Sequence, residues 1–141
     1  MIEPSLALQT VVRAALIGNP AVLQHVAPEN IRAGSIRSVN MPGIVLAPAR
    51  VEVMGRASGG QIVAEVRAML HIWTVQDGSE VAQAIAGAVL AVLMDAPAGQ
   101  GFTIDDWDRP ELVWMPDPDP AQSCAHGAVA LRAVLRWRVA A

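Results

Sequence analysis

The stretch QIVAEVRAMLHIWTV, residues 61–75, decides the fold because apolar and mixed side chains alternate along its whole length. Every second residue from Ile62 to Ile72 is apolar, whereas the positions between them include Glu65, Arg67 and His71. Successive side chains of a β-strand point to opposite faces of the sheet, so one face of this strand contacts a core and the other is half polar. The stretch therefore predicts a strand of an antiparallel sheet with an open side.

An almost entirely apolar helix is predicted directly after this strand. Asp77 can cap the free amides of the first turn, with Glu80 three residues later in the manner of a capping box. The predicted helix ends at about Met94, and between Val81 and Met94 its only polar side chain is Gln83. A surface helix is normally polar on its outer side. We therefore expect this helix to be covered on more than one side.

Patterns on both sides of this strand and helix predict the remaining elements. Before the strand, these are a helix that opens at Glu3-Pro4-Ser5 and ends at Gly18-Asn19-Pro20, a short helix at 20–26, a loop at 27–43, strand segments at 44–46 and 50–56 interrupted by Pro48, and a hairpin turn at Ser58-Gly59-Gly60. After the apolar helix, they are a short strand between Trp107 and Trp114, a stiff exposed loop at Pro116–Pro120 and a closing strand at 127–139. The order predicts an α+β fold, with an antiparallel sheet of about four to five strands and helices packed on one face.

Composition limits the class of protein. The 141 residues, of 14.8 kDa, predict one domain spanning 1–141. The chain is 53% apolar and only 16% charged, against about 25% charged in typical domains, so it is folded and rich in apolar surface. The net charge of −3 argues against non-specific nucleic-acid binding. The single Cys124 excludes an internal disulfide. No apolar run is long enough for a membrane span, and no secretory leader is recognisable at the N-terminus.

Candidate chemistry is sparse. Asp105, Asp106 and Asp108 could hold a hard cation or act as general acid and base, as in a small metal-dependent hydrolase. No nucleophile, oxyanion site or ligand ladder accompanies them, so a solvated acidic loop is the simpler interpretation. Cys124 and His126 lack the second ligand pair of a zinc site, and His71 is interpreted as a sheet-surface residue. The sequence thus predicts no catalytic residue, no metal and no cofactor.

A basic strand and an acidic stretch predict a contact between subunits. Three arginines line one face of the closing strand, and the acidic residues of 105–119, on the same or a neighbouring copy, are their natural partners. Tryptophan is enriched at interface hot spots. The candidate subunit-interface residues are therefore Arg132, Arg136, Arg138, Asp105, Asp106, Asp108, Trp107 and Trp114. We expect the charged patches to meet between neighbours, so that charge reversal at Arg132 and Arg136 would block assembly and leave the monomer folded.

Several short motifs resemble one family of small phage proteins. They are His71-Ile72-Trp73 followed by Gly78, Glu80, Ala82, Ile85, Ala86, Val89, Leu90 and Leu93, the turn Gly18-Asn19-Pro20-Ala21-Val22, the strand Pro42-Gly43-Ile44-Val45-Leu46, and the closing strand His126–Val139. The chain thereby resembles the tail terminators of long-tailed phages and prophages, also called tail-completion or head–tail joining proteins. Bacterial gene transfer agents carry a similar protein.

The resemblance implies a structural role without catalytic residues. Such proteins form a ring, typically a hexamer, that caps the head-proximal end of the tail tube, stops its growth and joins the head. The implied partners are other copies of the chain, the tail tube protein and a head-completion or neck protein. The implied location is the host cytoplasm during assembly and then the neck end of the particle, with no membrane and no sequence-specific nucleic acid.

Two further hypotheses on function remain in addition to the small metal-dependent hydrolase. The chain could be a different neck or tail structural subunit with a similar layout. It could also be a small-ligand or protein-binding module of cellular origin, for which a deep apolar pocket under the 79–94 helix would be expected.

Overall fold

The computed structural model describes residues 3–34, 37–38, 40–75, 79–117, 119 and 124–139, except the side chains of residues 48, 49 and 79. The helices and strands follow one another in the predicted α+β order. They are α1 (Pro4–Ile17), α2 (Pro20–Leu23), β1 (Ile31–Ala33), β2 (Gly43–Ala57), β3 (Gln61–Thr74), α3 (Ser79–Leu93), β4 (Thr103–Trp107), β5 (Glu111–Met115) and β6 (Ala125–Arg138), with a single 3-10 turn at Pro28–Asn30.

The described strands form one mostly antiparallel sheet, which confirms the predicted class. Its order is β1-β2-β3-β6, with β4 and β5 both bonded to the outer edge of β6. Only β1 and β2 run parallel. The sheet has six described strands because β1 lies within the predicted loop at 27–43 and because the acidic stretch supplies two short strands.

The long central strands divide the molecule into two faces, as the alternation predicts. β3 pairs with β6 along its whole length, from Gln61 opposite Arg138 to Thr74 opposite Ala125. One side of this pair, here called the helix face, is covered by α1 and α3 and forms the core. The other side, here called the open face, carries the charged residues of both strands. Buried core residues include Leu8, Val12, Leu16, Ile44, Val66, Leu70, Ile72, Ile85, Val89, Leu93, Val129, Leu131, Leu135 and Trp137.

Local capping fixes both ends of the first helix. The Glu3 carboxylate accepts hydrogen bonds from the backbone N–H of Ser5 and Leu6, at 3.2 and 2.7 Å, which satisfies two amides of the first turn. The helix ends at Gly18, and Asn19 then caps α2 in the same way. The predicted opening and ending of this helix are confirmed. The predicted cap of α3 at Asp77 and the motif residue Gly78 lie outside the described residues.

The proline in β2 bends the strand without ending it. Ala47 is opposite Met69 and Arg50 is opposite Arg67, so β2 has one residue more than β3 between these positions. Such a β-bulge accommodates a proline in a strand, because the bulged residue is not needed as a hydrogen-bond donor. The two predicted strand segments are therefore one continuous strand, which turns into β3 at Gly59 and Gly60 with φ of 78° and 72°.

Two glycines give opposite predictions for alanine substitution. A Cβ at Gly43 would lie within 2.7 Å of the Asn40 carbonyl oxygen and would overlap Ser38, whereas a Cβ at Gly87 meets nothing within 4 Å. We expect Gly43→Ala to lower the free energy of unfolding by about 1–3 kcal/mol through overpacking. Gly87→Ala should raise it by about 0.5–1 kcal/mol, because alanine favours the helix. Urea denaturation followed by circular dichroism measures both, and a Gly43→Ala variant as stable as the wild type would contradict this packing.

Candidate functional site

The arginines of β6 contact the acidic residues of the same chain. Arg132 donates from Nε to Glu65 at 2.9 Å and from Nη1 to both Asp106 and Asp108 at 3.0 Å. Arg136 binds both oxygens of Asp105, at 2.8 and 3.1 Å. These ion pairs join β3, β6 and β4 across the open face, so the first partners of the predicted basic strand lie within one subunit.

A bulge in β4 brings the carboxylates together. Ile104 is opposite Leu135 and Asp106 is opposite Val134, so Asp105 is an extra residue between them. In a regular strand, Asp105 and Asp106 would point to opposite faces. The bulge lets both side chains contact arginines of the open face, which the sequence pattern did not predict.

The ion pairs also set the charge states of this cluster. The hydrogen bonds from Arg136 hold the pKa of Asp105 below its usual value. Hydrogen bonds from Arg132 and Arg67 do the same for the pKa of Glu65. Each of these carboxylates is therefore paired with an arginine, and a cation that bound here would have to displace that arginine. Among the described residues, no group of three or more potential metal ligands is gathered at one place.

The two tryptophans of the acidic stretch differ in environment. Trp107 donates its indole N–H to the Leu93 carbonyl at 2.9 Å and packs against the core, so it joins β4 to the end of α3. Trp114 is 44% exposed, and its ring lies over Gly127, where a Cβ would come within 2.9 Å of it. Of this pair, Trp114 is therefore the one available to another molecule. Arg138 is also exposed and has no ion pair within the described part of the chain.

A buried polar cluster at one end of the open face was missed by the sequence analysis. Trp73 stacks on His126 with ring centroids 3.8 Å apart, and the Arg37 guanidinium lies 4.8 Å from the Trp73 ring centroid. His71 Nδ1 and His126 Nε2 share a hydrogen bond of 2.8 Å. Arg37 also binds both carboxylate oxygens of Asp117, at 2.7 and 2.9 Å. We call these five residues the histidine cluster.

Two expectations are wrong at this cluster. Asp117 does not lie in an exposed loop, since its side chain is only 3% exposed. It accepts hydrogen bonds from Arg37 and from the backbone N–H of Cys124 and Asp119. His71 is not a surface residue of the sheet but is buried beside His126. Alternation places a side chain on a face, but it does not tell whether another part of the chain covers that face.

Electrostatics keep the histidine cluster in one charge state near neutral pH. Burial lowers the pKa of His126 to about 4, helped by His71 and Arg37 and opposed by Asp117. Burial likewise lowers the pKa of His71. The hydrogen bonds of Arg37 hold the pKa of Asp117 well below its usual range. The Arg37–Asp117 ion pair therefore joins these two parts of the chain. The imidazoles of His71 and His126 in the same cluster are neutral near pH 7.

The outer side of α3 is apolar and uncovered. Val81, Ala84, Gly87 and Ala91 are exposed there, as is Met94 just after the helix. The expected cover on more than one side is not found within the described residues of a single chain. None of the described helices has the length and apolar character required to cross a bilayer. Because its apolar side chains are exposed in the single chain, the outer side of α3 is available for contact with another protein.

Comparisons with known proteins show which family this chain belongs to. Residues 10–136 match the family described as tail completion protein gp17. A chain of the structure described as "Virion of native gene transfer agent (GTA) particle" has the same fold, with a TM-score of 0.69 and 16% sequence identity over 92% of this chain and 95% of that chain. A search of curated proteins found no match. Since the matched residues span most of the sequence, this chain belongs to the tail completion protein gp17 family and is a structural protein of a phage tail.

Proposed function

We propose that this protein caps the head-proximal end of a phage or phage-like tail tube as a ring of identical copies. The ring stops tail growth and provides the surface to which the head is joined. Its partners are the tail tube protein on one side and a head-completion or neck protein on the other. The chain assembles in the host cytoplasm, remains at the neck end of the particle and performs no catalysis. Family membership and the likeness to a chain of a gene transfer agent particle support this proposal.

The apolar outer side of α3 gives this proposal its strongest structural support. A helix on the surface of a lone domain normally has a polar outer side. Here Val81, Ala84, Gly87 and Ala91 face outward, and within α3 the exposed polar side chains beside them are Gln83 and, at the start of the helix, Glu80. Such a surface is stable in water when another subunit or partner covers it. A permanent assembly supplies that cover, whereas an enzyme that acts as a free monomer does not.

The predicted subunit-interface residues keep that role as part of the proposal. Trp114 and Arg138 are exposed and would contact a neighbour directly. Arg132, Arg136, Asp105, Asp106 and Asp108 would shape the same side of the subunit through their ion pairs. Charge reversal at Arg132 would place a carboxylate beside Glu65, Asp106 and Asp108, so we now expect that variant to weaken the monomer as well as the assembly.

Electron microscopy of particles made without this gene tests the function. Overlong tails without heads are expected, and normal tails joined to heads would overturn the proposal. Complementation with Ala84→Arg should fail to restore joining, because a charge would be buried where α3 is covered, whereas Ala84→Ser should restore it. Circular dichroism of both purified variants checks that each is folded. Tails of normal length that lack heads would instead favour a different neck subunit.

A further inference from the structure

The sheet ends on each side in a strand edge that no described strand pairs with. On one side, β1 covers only residues 44–46 of β2, so residues 50–57 have an unpaired outer edge within the described chain. On the other side, β4 pairs with β6, and no described strand lies beyond it. We call these the β2 edge and the β4 edge. Unpaired strand edges readily pair with another chain, so monomeric proteins usually protect them.

The two edges lie at the same height along the strands, here called the same level. Val53 of the β2 edge is opposite Ala64 of β3. Ala64 is opposite Leu135 of β6, and Leu135 is opposite Ile104 of the β4 edge. Val53 and Ile104 are therefore the two ends of one row of side chains that crosses the sheet. Directly opposite residues share a face of the sheet, so both side chains point to the helix face.

A second row on the helix face also has apolar ends. It joins Val51 of the β2 edge to Trp107 of the β4 edge, through opposite residues of β3 and β6. Val53 is 66% exposed, and Val51, Ile104 and Trp107 are each partly exposed. The two edges thus present apolar side chains at the same two levels and on the same face.

The backbone groups of these four residues point away from the sheet. In an antiparallel pair, residues that exchange hydrogen bonds alternate with residues that do not. Asp108 donates its N–H to the Arg132 carbonyl, so Arg132 directs its backbone groups to β4 and its neighbours in β6 direct theirs to β3. Followed across the registers, this alternation directs the N–H and C=O groups of all four edge residues outward. Each edge therefore offers hydrogen-bonding groups at the levels where the other offers them.

The strand directions allow the two edges of neighbouring copies to pair. β2 and β6 run in one direction, and β3 and β4 run in the other. In a closed ring, neighbouring copies are related by a rotation, and their contact joins different surfaces. A rotation about an axis along the strands changes neither the direction nor the level of any residue. The β4 edge of one copy therefore meets the β2 edge of the next in antiparallel orientation, with Val53 level with Ile104.

The open face of the same contact carries complementary charges. Arg50 is opposite Arg67, which is opposite Arg132, so three arginines lie side by side in one row. At the β4 edge this row ends in Asp108, which binds Arg132 at 3.0 Å. Like charges directly opposite each other destabilise a sheet. The Arg50 side chain is 77% exposed and its Nη2 lies 3.9 Å from Glu52 Oε2, so Asp108 of a neighbour at the same level offers it a closer partner.

Two further strands lie at one level near the other end of these edges. Trp114 of β5 is opposite Gly127, which is opposite Ile72 of β3. Ile31 of β1 is opposite Ile44, which is also opposite Ile72. The same rotation therefore brings Trp114, which is 44% exposed, beside β1 of the next copy.

We propose that neighbouring copies join through antiparallel pairing of the β2 edge with the β4 edge, with Val53 level with Ile104 and Arg50 paired with Asp108. This inference rests on the proposed ring of identical copies and names its contact. A register shifted by one residue would turn the apolar side chains of one edge to the face that carries the charges of the other. The match of level, direction, face and charge therefore selects a single register.

Disulfide cross-linking in particles tests this register. Glu52 and Asp106 lie on the open face at one level, and β3 and β6 separate them within a single copy. In a Cys124→Ser background, the double variant Glu52→Cys, Asp106→Cys should form covalent multimers on oxidation, seen on non-reducing gels. Opposite residues of paired antiparallel strands have Cα atoms about 4.5–5.5 Å apart, which a disulfide can span.

The matched control is the double variant Glu52→Cys, Glu111→Cys in the same background. Glu111 is exposed on the same face, but it lies four residues further along the sheet, roughly 13 Å away, and should not cross-link. Particles that carry the protein at the neck end but give no multimers from the first pair, or equal multimers from both pairs, would overturn the inference and leave the proposed function intact. Absence of the protein from the neck end would overturn the proposed function itself.

Substitution of Val53 tests the pairing without cysteines. Proline removes the outward N–H that a neighbour would bind, whereas alanine shortens the same side chain and keeps that N–H. Val53→Pro should lower the yield of joined particles roughly tenfold relative to Val53→Ala, because each contact around the ring loses a backbone hydrogen bond. Both purified chains should unfold at the same urea concentration, since β3 does not use this N–H. If the two folded variants join heads equally well, the β2 edge is not paired and the inference is wrong.

Discussion

Replacing Trp73 with alanine is expected to lower the free energy of unfolding by about 3–5 kcal/mol, the usual cost of deleting a buried tryptophan. Trp73 is fully buried, although it lies on the open face of the sheet. Its ring stacks on His126 and lies under the guanidinium of Arg37. Its removal would leave a cavity beneath the Arg37–Asp117 ion pair, so the loss should include the packing of both covering segments. Urea denaturation followed by far-ultraviolet circular dichroism measures the change.

Trp114→Ala is the matched control, since it removes the same side chain from an exposed site. We expect it to cost about 1 kcal/mol or less in the isolated chain, because much of that ring is already in water. Its effect should appear in assembly instead, where Trp114 is proposed to contact a neighbour. Equal losses of stability in the two variants would show that the described burial of Trp73 is wrong.

The folded protein is expected to lose stability as the pH falls from about 6.5 to 4. In the unfolded chain a histidine takes up a proton near pH 6.5, whereas burial lowers the pKa of His126 to about 4 in the folded protein. Within this range the unfolded state binds more protons, so acidification favours unfolding. The shift corresponds to at most about 3 kcal/mol for His126, and the lowered pKa of His71 acts in the same direction. Unfolding free energies measured at a series of pH values test this.

His126→Phe separates this effect from the titration of the carboxylates. Phenylalanine can still stack on Trp73 but takes up no proton, so the slope of stability against pH between 4 and 6.5 should become shallower. The carboxylates of Asp105 and Glu65 also lose their ion pairs on acidification, but they do so in both proteins. An unchanged slope in the variant would show that His126 is not responsible. The His126 Nδ1 atom, buried without a hydrogen-bond partner among the described residues, gives a physical reason for the low pKa, since a proton there has no acceptor.

The sequence by itself determined the elements whose signals are local. Alternation over residues 61–75 and 127–139 predicted the two long strands and their faces, because side chains of a strand alternate whatever they pair with. Glu3-Pro4-Ser5 marked the start of α1 and Gly18-Asn19-Pro20 its end, through signals that span only a few residues. The family resemblance depended on the same local patterns, and the family match over residues 10–136 confirms it.

Only the tertiary structure determined which side chains are covered and by which segments of the chain. Arg37 and Asp117 are 80 residues apart in the chain, so no local pattern indicates that they meet or that Arg37 lies over the Trp73 ring. The bulge at Asp105 changes which face a carboxylate reaches, although the alternation of the strand is otherwise regular. Which strand edges remain unpaired within the described chain likewise depends on which strands pair. Periodicity reports the environment of a residue along its own element, whereas burial and edge exposure are set by contacts between elements distant in sequence.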